Sequence, residues 1–203
     1  MRIVGGELRG RRLQAPSGRS VRPTSDRARE TLFNVLQHRF DGLPEGVRVL
    51  DLFAGTGALG LEALSRGAKF CLFVEQDAAA RGVIRENVEA FGLQGVARIF
   101  RRDATRLGPA GTAGPFELAF ADPPYGHGLG ERALQSAAAG GWLADGALIA
   151  AEESEAVAFA VPPGFALIDR LEIGAAAIHL LRYRPDGSGG GATIKENSLS
   201  RRD

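Results

Sequence analysis

The sequence of 203 residues contains a single cysteine, Cys71, so no disulfide bond can form within the chain. No apolar run approaches the roughly 18 residues that a membrane-spanning helix needs. The amino terminus, MRIVGGELRGRR, lacks the apolar stretch of a signal peptide. No histidines and cysteines are spaced as metal ligands usually are, so we expect no metal site. These absences favour a cytoplasmic protein that does not contact a membrane.

Lysine is also scarce, and the arginines are unevenly distributed. Only Lys69 and Lys195 are lysines among the 25 basic residues. Residues 1–40 contain nine arginines against three acids, a net charge of +6, whereas the whole chain has a net charge of +1. Because the planar guanidinium group pairs well with phosphate oxygens, this basic end predicts contact with a polyanion. A solvated charged face, or the codon usage of a GC-rich genome, would give the same bias.

Strand-like and helical patterns alternate through most of the chain. Near-continuous apolar strands separated by helices predict a parallel sheet that is covered on both faces. Two later strand-like runs are close enough to pair as an antiparallel hairpin. The predicted strands span residues 47–54, 69–75, 96–101, 116–122, 146–152, 165–174 and 175–184, and the predicted helices between them span 57–67, 77–92 and 128–141.

The segment before this alternating unit has a different pattern. RIVGGELRGRRLQAP predicts two short strands around glycines, and SVRPTSDRARETLFNVLQHRF predicts a helix capped by Thr24, Ser25 or Asp26. The final residues are rich in glycine, serine and charge, a composition typical of disorder. We therefore divide the chain into a basic hairpin and helix (1–40), a core (41–185) and a tail (186–203).

A glycine-rich turn follows the first core strand. In LDLFAGTGALG, Gly55, Gly57 and Gly60 form a G-x-G-x-x-G pattern between a strand and a helix, which favours a nucleotide-like ligand. Asp51 lies at the end of the same strand, where its carboxylate would repel a diphosphate and attract a cation. S-adenosylmethionine carries an ammonium and a sulfonium group and no phosphate. The turn therefore predicts S-adenosylmethionine rather than a dinucleotide.

Acidic residues also follow the next three strands. Ligands of open parallel sheets bind outside the carboxyl ends of the strands. Glu75, 20 residues past Gly55, is placed to accept ribose hydroxyl groups. Asp103 is placed to reach an adenine amine, and Asp122 ends the fourth strand. Four acids in order at one sheet edge predict one binding site, and four solvated loop acids are the alternative.

The stretch AFADPPYGHG, residues 119–128, extends this pattern. An exocyclic amine of a nucleobase is a poor nucleophile because its lone pair is delocalised into the ring. Asp122 can accept one N–H and a carbonyl of the Pro123–Pro124 turn the other, which would aim the lone pair at a sulfonium methyl group. Tyr125 offers a face on which an extruded base can stack. In the alternative, the prolines only end a strand and the tyrosine is part of the core.

These motifs together resemble a known family. DLFAGTGALG followed by DPPY resembles nucleic-acid amino-methyltransferases of Rossmann-like fold. With RIVGGELRGRRLQAP, RPTSDRARETLFNVL and GWLADGALI, residues 2–184 resemble the RsmD family of bacterial 16S rRNA guanine-N2 methyltransferases. The resemblance implies an α/β fold with a mostly parallel seven-stranded sheet and an antiparallel C-terminal edge hairpin. It also implies S-adenosylmethionine as the cofactor and 16S rRNA, in the 30S subunit or a late precursor, as the substrate.

The resemblance assigns roles to particular residues, and we expect them to act in a monomer. Thr24 and Arg27 would border the methionine end of the cofactor. The candidate catalytic residues are Asp122, Pro123, Pro124 and Tyr125. The candidate cofactor-binding residues are Thr24, Arg27, Asp51, Phe53, Gly55, Thr56, Gly57, Glu75, Gln76, Asp103, Ala104 and Asp122, and the candidate RNA-binding residues are Arg9, Arg11, Arg12, Arg19 and Arg22.

Other functions stay open at this point. D-P-P-Y serves an adenine amine equally well, so DNA adenine-N6 methylation is one alternative, although the chain has no spare segment for a DNA-reading domain. A protein-glutamine methyltransferase would more typically carry asparagine at position 122. A non-catalytic RNA-binding assembly factor of the same fold is a third possibility, against which the intact Asp122 and glycine turn argue.

Overall fold

The computed structural model describes residues 1–15, 26–39, 43 and 46–185. The predictions for Arg19, Arg22, Thr24, Ser25 and the tail lie outside these residues. No helix in the described ranges has the length and apolar character needed to cross a bilayer. The elements are α1 (Asp26–Arg39), β1 (Arg48–Leu52), α2 (Ala58–Ser65), β2 (Phe70–Val74), α3 (Ala78–Ala90), β3 (Ala97–Phe100), a 3-10 turn (Ala104–Arg106), β4 (Phe116–Ala121), α4 (Leu129–Ala139), β5 (Leu143–Ser154), β6 (Phe165–Ile173) and β7 (Ala176–Tyr183).

The strands form one seven-stranded sheet in the order β3-β2-β1-β4-β5-β7-β6. Strands β1 to β5 are parallel, whereas β7 runs antiparallel to both β5 and β6. The predicted α/β class, with its mostly parallel sheet and antiparallel edge hairpin, is confirmed. The chain winds outward in one direction from β1 to β3 and in the other from β4 to β5. The switch point between β1 and β4 is where an open α/β sheet forms a ligand crevice.

Two hydrophobic layers cover the sheet. Helices α1, α2 and α3 pack on one face, here called the α2 face, and α4 packs on the other, here called the α4 face. In β1, Val49 belongs to the layer on the α2 face, and Leu50 and Leu52 belong to the layer on the α4 face. Because successive strand residues point to opposite faces, Asp51 points towards α2. The alternation therefore directs one carboxylate into the apolar layer beneath a helix.

The segment before α1 packs closely on the C-terminal half of α2. The Val4 N–H donates to Oε2 of the buried Glu62 at 2.8 Å, and the Leu8 N–H donates to Oγ of Ser65 at 3.0 Å. Gly6 has a φ of +75°, and a β-carbon there would lie 1.8 Å from the Ser65 carbonyl oxygen. Only glycine allows this approach, so the glycine pair near the amino terminus marks a docking point on α2.

The same segment folds back on itself and onto α1. Its flanks pair antiparallel at a single position, Arg2 with Arg12, so the predicted hairpin consists of one bridge pair rather than two strands. The fully buried Arg29 of α1 donates to the Arg2 carbonyl oxygen and, at 2.8 Å, to Oδ1 of Asp26. Burial of a guanidinium group is costly without such bonds, and the bond to Arg2 holds α1 against this segment.

The third glycine of the glycine-rich turn has a packing role. A β-carbon at Gly60 would lie 2.4 Å from a ring carbon of Phe73 and 2.5 Å from Sγ of Cys71. We expect Gly60→Ala to lower the free energy of unfolding by about 1–3 kcal/mol, because α2 would have to move away from β2. Urea unfolding followed by circular dichroism measures this change.

Gly82 in α3 supplies the matched control. A β-carbon at Gly82 meets nothing within 4 Å. Gly82→Ala should therefore raise the free energy of unfolding by about 0.5–1 kcal/mol through helix propensity alone. Equal effects of the two substitutions would contradict a packing role for Gly60.

Candidate active site

The candidate site lies at the switch point, where β1 and β4 are neighbours. Asp51 pairs in register with Phe120 of β4, and Asp122 follows directly after the last residue of β4. Glu75 follows directly after the last residue of β2. Asp103 is slightly farther along, three residues past the end of β3. The structure thus brings the four predicted acids to one edge of the sheet, at the ends of four adjacent strands.

The glycine-rich turn between β1 and α2 has an unusual backbone. Phe53 has a φ of 58° and is the sole non-glycine residue with positive φ among the described residues. Gly55 and Gly57 also have positive φ, 55° and 77°. Such conformations are costly for a residue with a β-carbon and are concentrated at binding sites. The positive φ values mark this turn as a candidate ligand site, in agreement with the prediction from its glycine motif.

Glu75 holds this turn against the start of α3. Its Oε2 accepts the Gly55 N–H at 2.9 Å, and its Oε1 accepts the Asp77 N–H at 2.8 Å. Asp77 in turn caps α3 by accepting the Ala80 N–H. Each carboxylate oxygen can accept more than one hydrogen bond, so these contacts leave Glu75 able to receive ribose hydroxyl groups. Ribose binding by Glu75 stays a prediction, and its support of the turn is a second role.

Asp51 lies beneath the turn. Its side chain is only 2% exposed, and Oδ2 accepts the Gly60 N–H in the first turn of α2 at 2.9 Å. Burial raises the pKa of this carboxyl group well above its ordinary value, and the nearby charges of Asp122 and Glu75 raise it further. The predicted contact between Asp51 and a cofactor stays a prediction. What the structure shows is a carboxylate that binds the N-terminal end of α2.

Asp103 has the opposite electrostatic setting. Its Oδ1 accepts both the backbone N–H and the hydroxyl group of Thr105, at 2.9 Å and 2.7 Å. The Thr105 side-chain bond is the main cause that lowers the pKa of Asp103, and Arg106 and Arg132 contribute. An ionised carboxylate is a good acceptor for the amine proposed from the sequence. The neighbouring Ala104 is buried, as a wall of an adenine pocket would be.

Asn87 of α3 is a structural partner of the site that the sequence reasoning missed. Its side chain is fully buried, and its Nδ2 donates to the Thr56 carbonyl oxygen of the glycine turn at 3.2 Å. It also exchanges two hydrogen bonds with the backbone of Gln14. Asn87 therefore joins the N-terminal segment to the turn. The one sequence signal is a polar residue on the apolar side of a helix.

The Asp-Pro-Pro-Tyr loop follows β4, with Pro123 buried and Pro124 exposed. Tyr125 is half-buried, and its hydroxyl group donates to Oε1 of Glu152. The next residue, Gly126, donates its N–H to Oε1 of Glu153 at 3.0 Å. The sequence alone predicted no role for the two glutamates. The available signal was two adjacent acids at the end of an otherwise apolar strand.

The predicted RNA-binding arginines differ in their surroundings. Arg9, Arg11 and Arg12 are all exposed. Arg11 donates to the Ala90 carbonyl oxygen at 2.5 Å, and its guanidinium group lies 4.6 Å from the centre of the Phe91 ring. Arg11 thus attaches the N-terminal segment to the end of α3. Contact between any of the three and RNA stays a prediction, as does the role of Arg27, which is exposed in the first turn of α1.

The residues at the switch point fit S-adenosylmethionine. A β-carbon at Gly55 would meet nothing closer than the Phe53 carbonyl oxygen at 3.9 Å, so the turn leaves open space beside its backbone. The charges of Asp122 and Glu75 both act on the carboxyl group of Asp51 beneath this turn. A cation lowers the repulsion among these groups, whereas a pyrophosphate would increase it. The donor set therefore suits a ligand that carries positive charge.

Comparison with known proteins agrees with this geometry. A protein-family model described as conserved hypothetical protein 95 matches residues 1–182. The chain is 39% identical over 189 residues to ribosomal RNA small subunit methyltransferase D of Escherichia coli strain K12, covering 92% of each chain. It is 42% identical over 127 residues to the putative rRNA methyltransferase YlbH of Bacillus subtilis strain 168, covering 62% of this chain and 67% of that one.

A solved structure is similar over the same extent. The putative methyltransferase yhhF from Escherichia coli superimposes with a TM-score of 0.76 at 36% identity, covering 91% of this chain and 98% of that chain. The family match includes the N-terminal segment as well as the sheet. Both regions are therefore part of one shared architecture.

Because the carboxyl group of Asp51 is buried, we expect its contribution to the free energy of unfolding to depend on pH. Folding raises its pKa above the ordinary 3.8, so the folded protein binds the proton more tightly than the unfolded chain. Stability is therefore lost as the pH rises from the unfolded to the folded pKa. Asp51→Asn keeps an acceptor for the Gly60 N–H but removes this titration. We expect the free energy of unfolding of Asp51→Asn, relative to wild type, to increase with pH by at least about 1 kcal/mol.

Urea unfolding of both proteins at intervals between about pH 4 and pH 8 measures this difference. Titrating groups that do not interact with Asp51 affect both proteins alike, so the difference reports on position 51 and on the neighbouring carboxyl groups of Asp122 and Glu75. Parallel stability curves over this range would contradict the raised pKa of Asp51.

Proposed function

We propose that this chain, which belongs to the RsmD family of ribosomal RNA small subunit methyltransferases, transfers a methyl group from S-adenosylmethionine to the exocyclic N2 of a guanine in 16S rRNA. The observation that carries the proposal is the position of the Asp-Pro-Pro-Tyr loop. It leaves β4 at the switch point of the sheet, where the charge of Asp122 acts on the buried Asp51 beneath the glycine turn. The similar protein of Escherichia coli, named ribosomal RNA small subunit methyltransferase D, supports rRNA as the substrate.

The proposed cofactor site runs along the carboxyl ends of β1, β2 and β3. The turn around Gly55 and the carboxylate of Glu75 would hold the ribose, and Asp103 and Ala104 would hold the adenine. When bound, S-adenosylmethionine supplies a methyl group that the sulfonium makes electrophilic. The carboxyl groups of Asp51 and Asp122 favour a cation at the point where the two strands separate, and a cation there would in turn favour the ionised form of Asp51.

The chain's own contribution to the reaction is positioning. Asp122 accepts one hydrogen of the guanine amine, and the carbonyl oxygen of Pro123 or Pro124 accepts the other. Both prolines lack an N–H group, so the backbone from 123 to 124 presents only acceptors to the amine. The lone pair of N2 is then directed at the methyl carbon, and the carboxylate of Asp122 holds the hydrogen that leaves after transfer. Tyr125 holds the ring by stacking.

The proposed RNA contact uses the N-terminal segment. Arg9 and Arg12 are exposed on a segment that packs on α2 and is joined to the glycine turn through Asn87. Arginine side chains on a rigid support can grip folded RNA through its phosphates without reading its sequence. The target base is then selected by the shape of the site and by the loop after β4.

The decisive experiment is transfer of a labelled methyl group to 30S subunits from a strain that lacks the enzyme, followed by nucleoside analysis. We expect the label in N2-methylguanosine. We expect Asp122→Ala to reduce transfer by at least about a hundredfold, because the amine loses its acceptor, while calorimetry shows that S-adenosylmethionine still binds.

The outcome separates the alternatives. Label in N6-methyladenosine, or on DNA, would show that the target is not the N2 of a guanine in rRNA. Near-normal turnover by the Asp122→Ala variant would show that Asp122 has no role in the reaction. Naked 16S rRNA, assayed in parallel with assembled subunits, shows which form is the substrate.

The arginines of the N-terminal segment provide a separate test. Replacing Arg9 and Arg12 with alanine should weaken RNA binding and reduce the slope of log affinity against log salt concentration by about one unit or slightly more. Arg11→Ala is the matched control, because its guanidinium group contacts Ala90 and Phe91. Arg11→Ala should lower the melting temperature of the protein and change the salt slope little. An unchanged slope in the double variant would place the RNA contact elsewhere on the surface.

A further inference from the structure

The geometry points to Glu152 and Glu153 as positioning residues that hold the Asp-Pro-Pro-Tyr loop. We infer that Glu152 acts through the hydroxyl group of Tyr125 and that Glu153 acts through the backbone of Gly126. The inference rests on the proposed function, because it assumes that this loop holds the target base. It adds two residues from a different strand to the machinery that aligns the base.

The end of β5 is built to support this loop. Strand β4 ends at Ala121, which pairs with Ala151 of β5. Strand β5 continues to Ser154, and β7 pairs with it over this whole extension as far as Ala176. The loop after β4 therefore lies beside three further residues of β5 that the sheet holds rigidly from the other side. Glu152 and Glu153 are the first two of those residues.

The two carboxylates contact consecutive residues of the loop. Oε1 of Glu152 accepts the Tyr125 hydroxyl group, and Oε1 of Glu153 accepts the Gly126 N–H at 3.0 Å. Ala150 packs in the layer on the α2 face and Ala151 in the layer on the α4 face. Because side chains alternate along a strand, Glu152 and Glu153 leave β5 on opposite faces. The loop is thus bonded at two points on the two sides of the sheet.

Burial makes this arrangement costly. Glu152 is 9% exposed and Glu153 is 2% exposed, and both are close to the acidic edge of the sheet. Buried carboxylates are unfavourable unless hydrogen bonds compensate them, and apolar residues of the same volume often give a more stable protein. The preceding residues of β5 are alanines and an isoleucine, so the strand itself does not require acids. Oε1 of Glu153 also accepts the Ser154 N–H of its own strand, at 2.8 Å, so it joins the loop to the end of β5. The bonds to Tyr125 and Gly126 give the two glutamates a role in the loop.

The bonds fix the features on which transfer depends. A tyrosine ring can swing about its χ1 torsion unless its far end is held, and the Tyr125 hydroxyl group is that end. The bond from Gly126 fixes the backbone directly after the tyrosine. With both in place, the carbonyl oxygens of the two prolines and the carboxylate of Asp122 keep one orientation towards the amine. Glu152 and Glu153 reach the substrate only through these residues.

A double-mutant cycle tests the bond between Tyr125 and Glu152. Tyr125→Phe and Glu152→Met should each lower kcat on 30S subunits about tenfold or more, since hydrogen bonds to charged groups have roughly this strength. The double variant should be no slower than the slower single variant, because both substitutions remove the same bond. Glu152→Gln keeps an acceptor oxygen and should restore most of kcat. The affinity for S-adenosylmethionine should stay within about twofold of wild type in all variants.

Glu172→Met on β6 is the matched control, because Glu172 is exposed and pairs with Arg170. It should leave kcat unchanged. Losses that multiply in the double variant, or an unchanged kcat in Tyr125→Phe, would overturn the inference. If Glu152→Met does not fold, Tyr125→Phe decides alone, since it removes only one hydroxyl group. A wild-type protein that methylates no RNA overturns the proposed function and the inference with it, and that result is distinct from selective loss in the variants.

Discussion

The hydrogen bond between the buried Asp51 carboxylate and the Gly60 N–H is the interaction on which the rest of the site depends. It connects the end of β1 to the first turn of α2, where the helix presents unpaired N–H groups and a positive partial charge. The close approach of α2 to β2, which only glycine at position 60 permits, brings the helix within reach of the carboxylate. The turn between them is then compressed into positive φ at Phe53, Gly55 and Gly57. The packing of α2, the burial of the Asp51 carboxyl group and the backbone of the glycine turn therefore depend on one another.

The N-terminal segment belongs to this arrangement although it precedes the sheet by many residues. It docks on Glu62 and Ser65 of α2, the helix that Asp51 binds at its other end. Asn87 bonds the same segment to the Thr56 carbonyl oxygen of the turn. Binding at the exposed arginines would therefore affect both ends of α2 and the turn between Asp51 and the helix. Hydrogen bonds thus connect the N-terminal segment to the glycine turn, so RNA binding at the proposed arginines would act on the proposed methyl-transfer site.

The sequence was sufficient for the fold and for the placement of the four acids at one edge of the sheet, since both depend on local patterns. Apolar strands alternating with helices determine a covered parallel sheet, and acids at the strand ends must meet where the strands end. Glu152, Glu153 and Asn87 were missed because their roles come from long-range contacts. Glu152 meets Tyr125 only because β5 extends past β4, and that extension is set by pairing with β7. The sequence analysis gave Gly60 only as part of the glycine motif, and the structure shows its role in packing α2 against Phe73 and Cys71 of β2. The bond from Asp51 to α2 could not be read from spacing alone.

The proposed chemistry would explain why so many acidic groups of this site bond to the backbone. An activated methyl donor needs no strong base, so the barrier that the protein can lower is one of alignment. Alignment of a planar amine requires hydrogen-bond acceptors at fixed angles. A loop of two prolines and a tyrosine would not keep those acceptors in place without further support. In the structure, acidic side chains meet this requirement by accepting hydrogen bonds from N–H groups and from a hydroxyl group. Glu75 holds the turn at Gly55, Asp51 holds α2, and Glu152 and Glu153 hold the loop. Negative charge at this edge of the sheet thus has two uses, since the same carboxylates that favour a cationic ligand also fix the backbone around it.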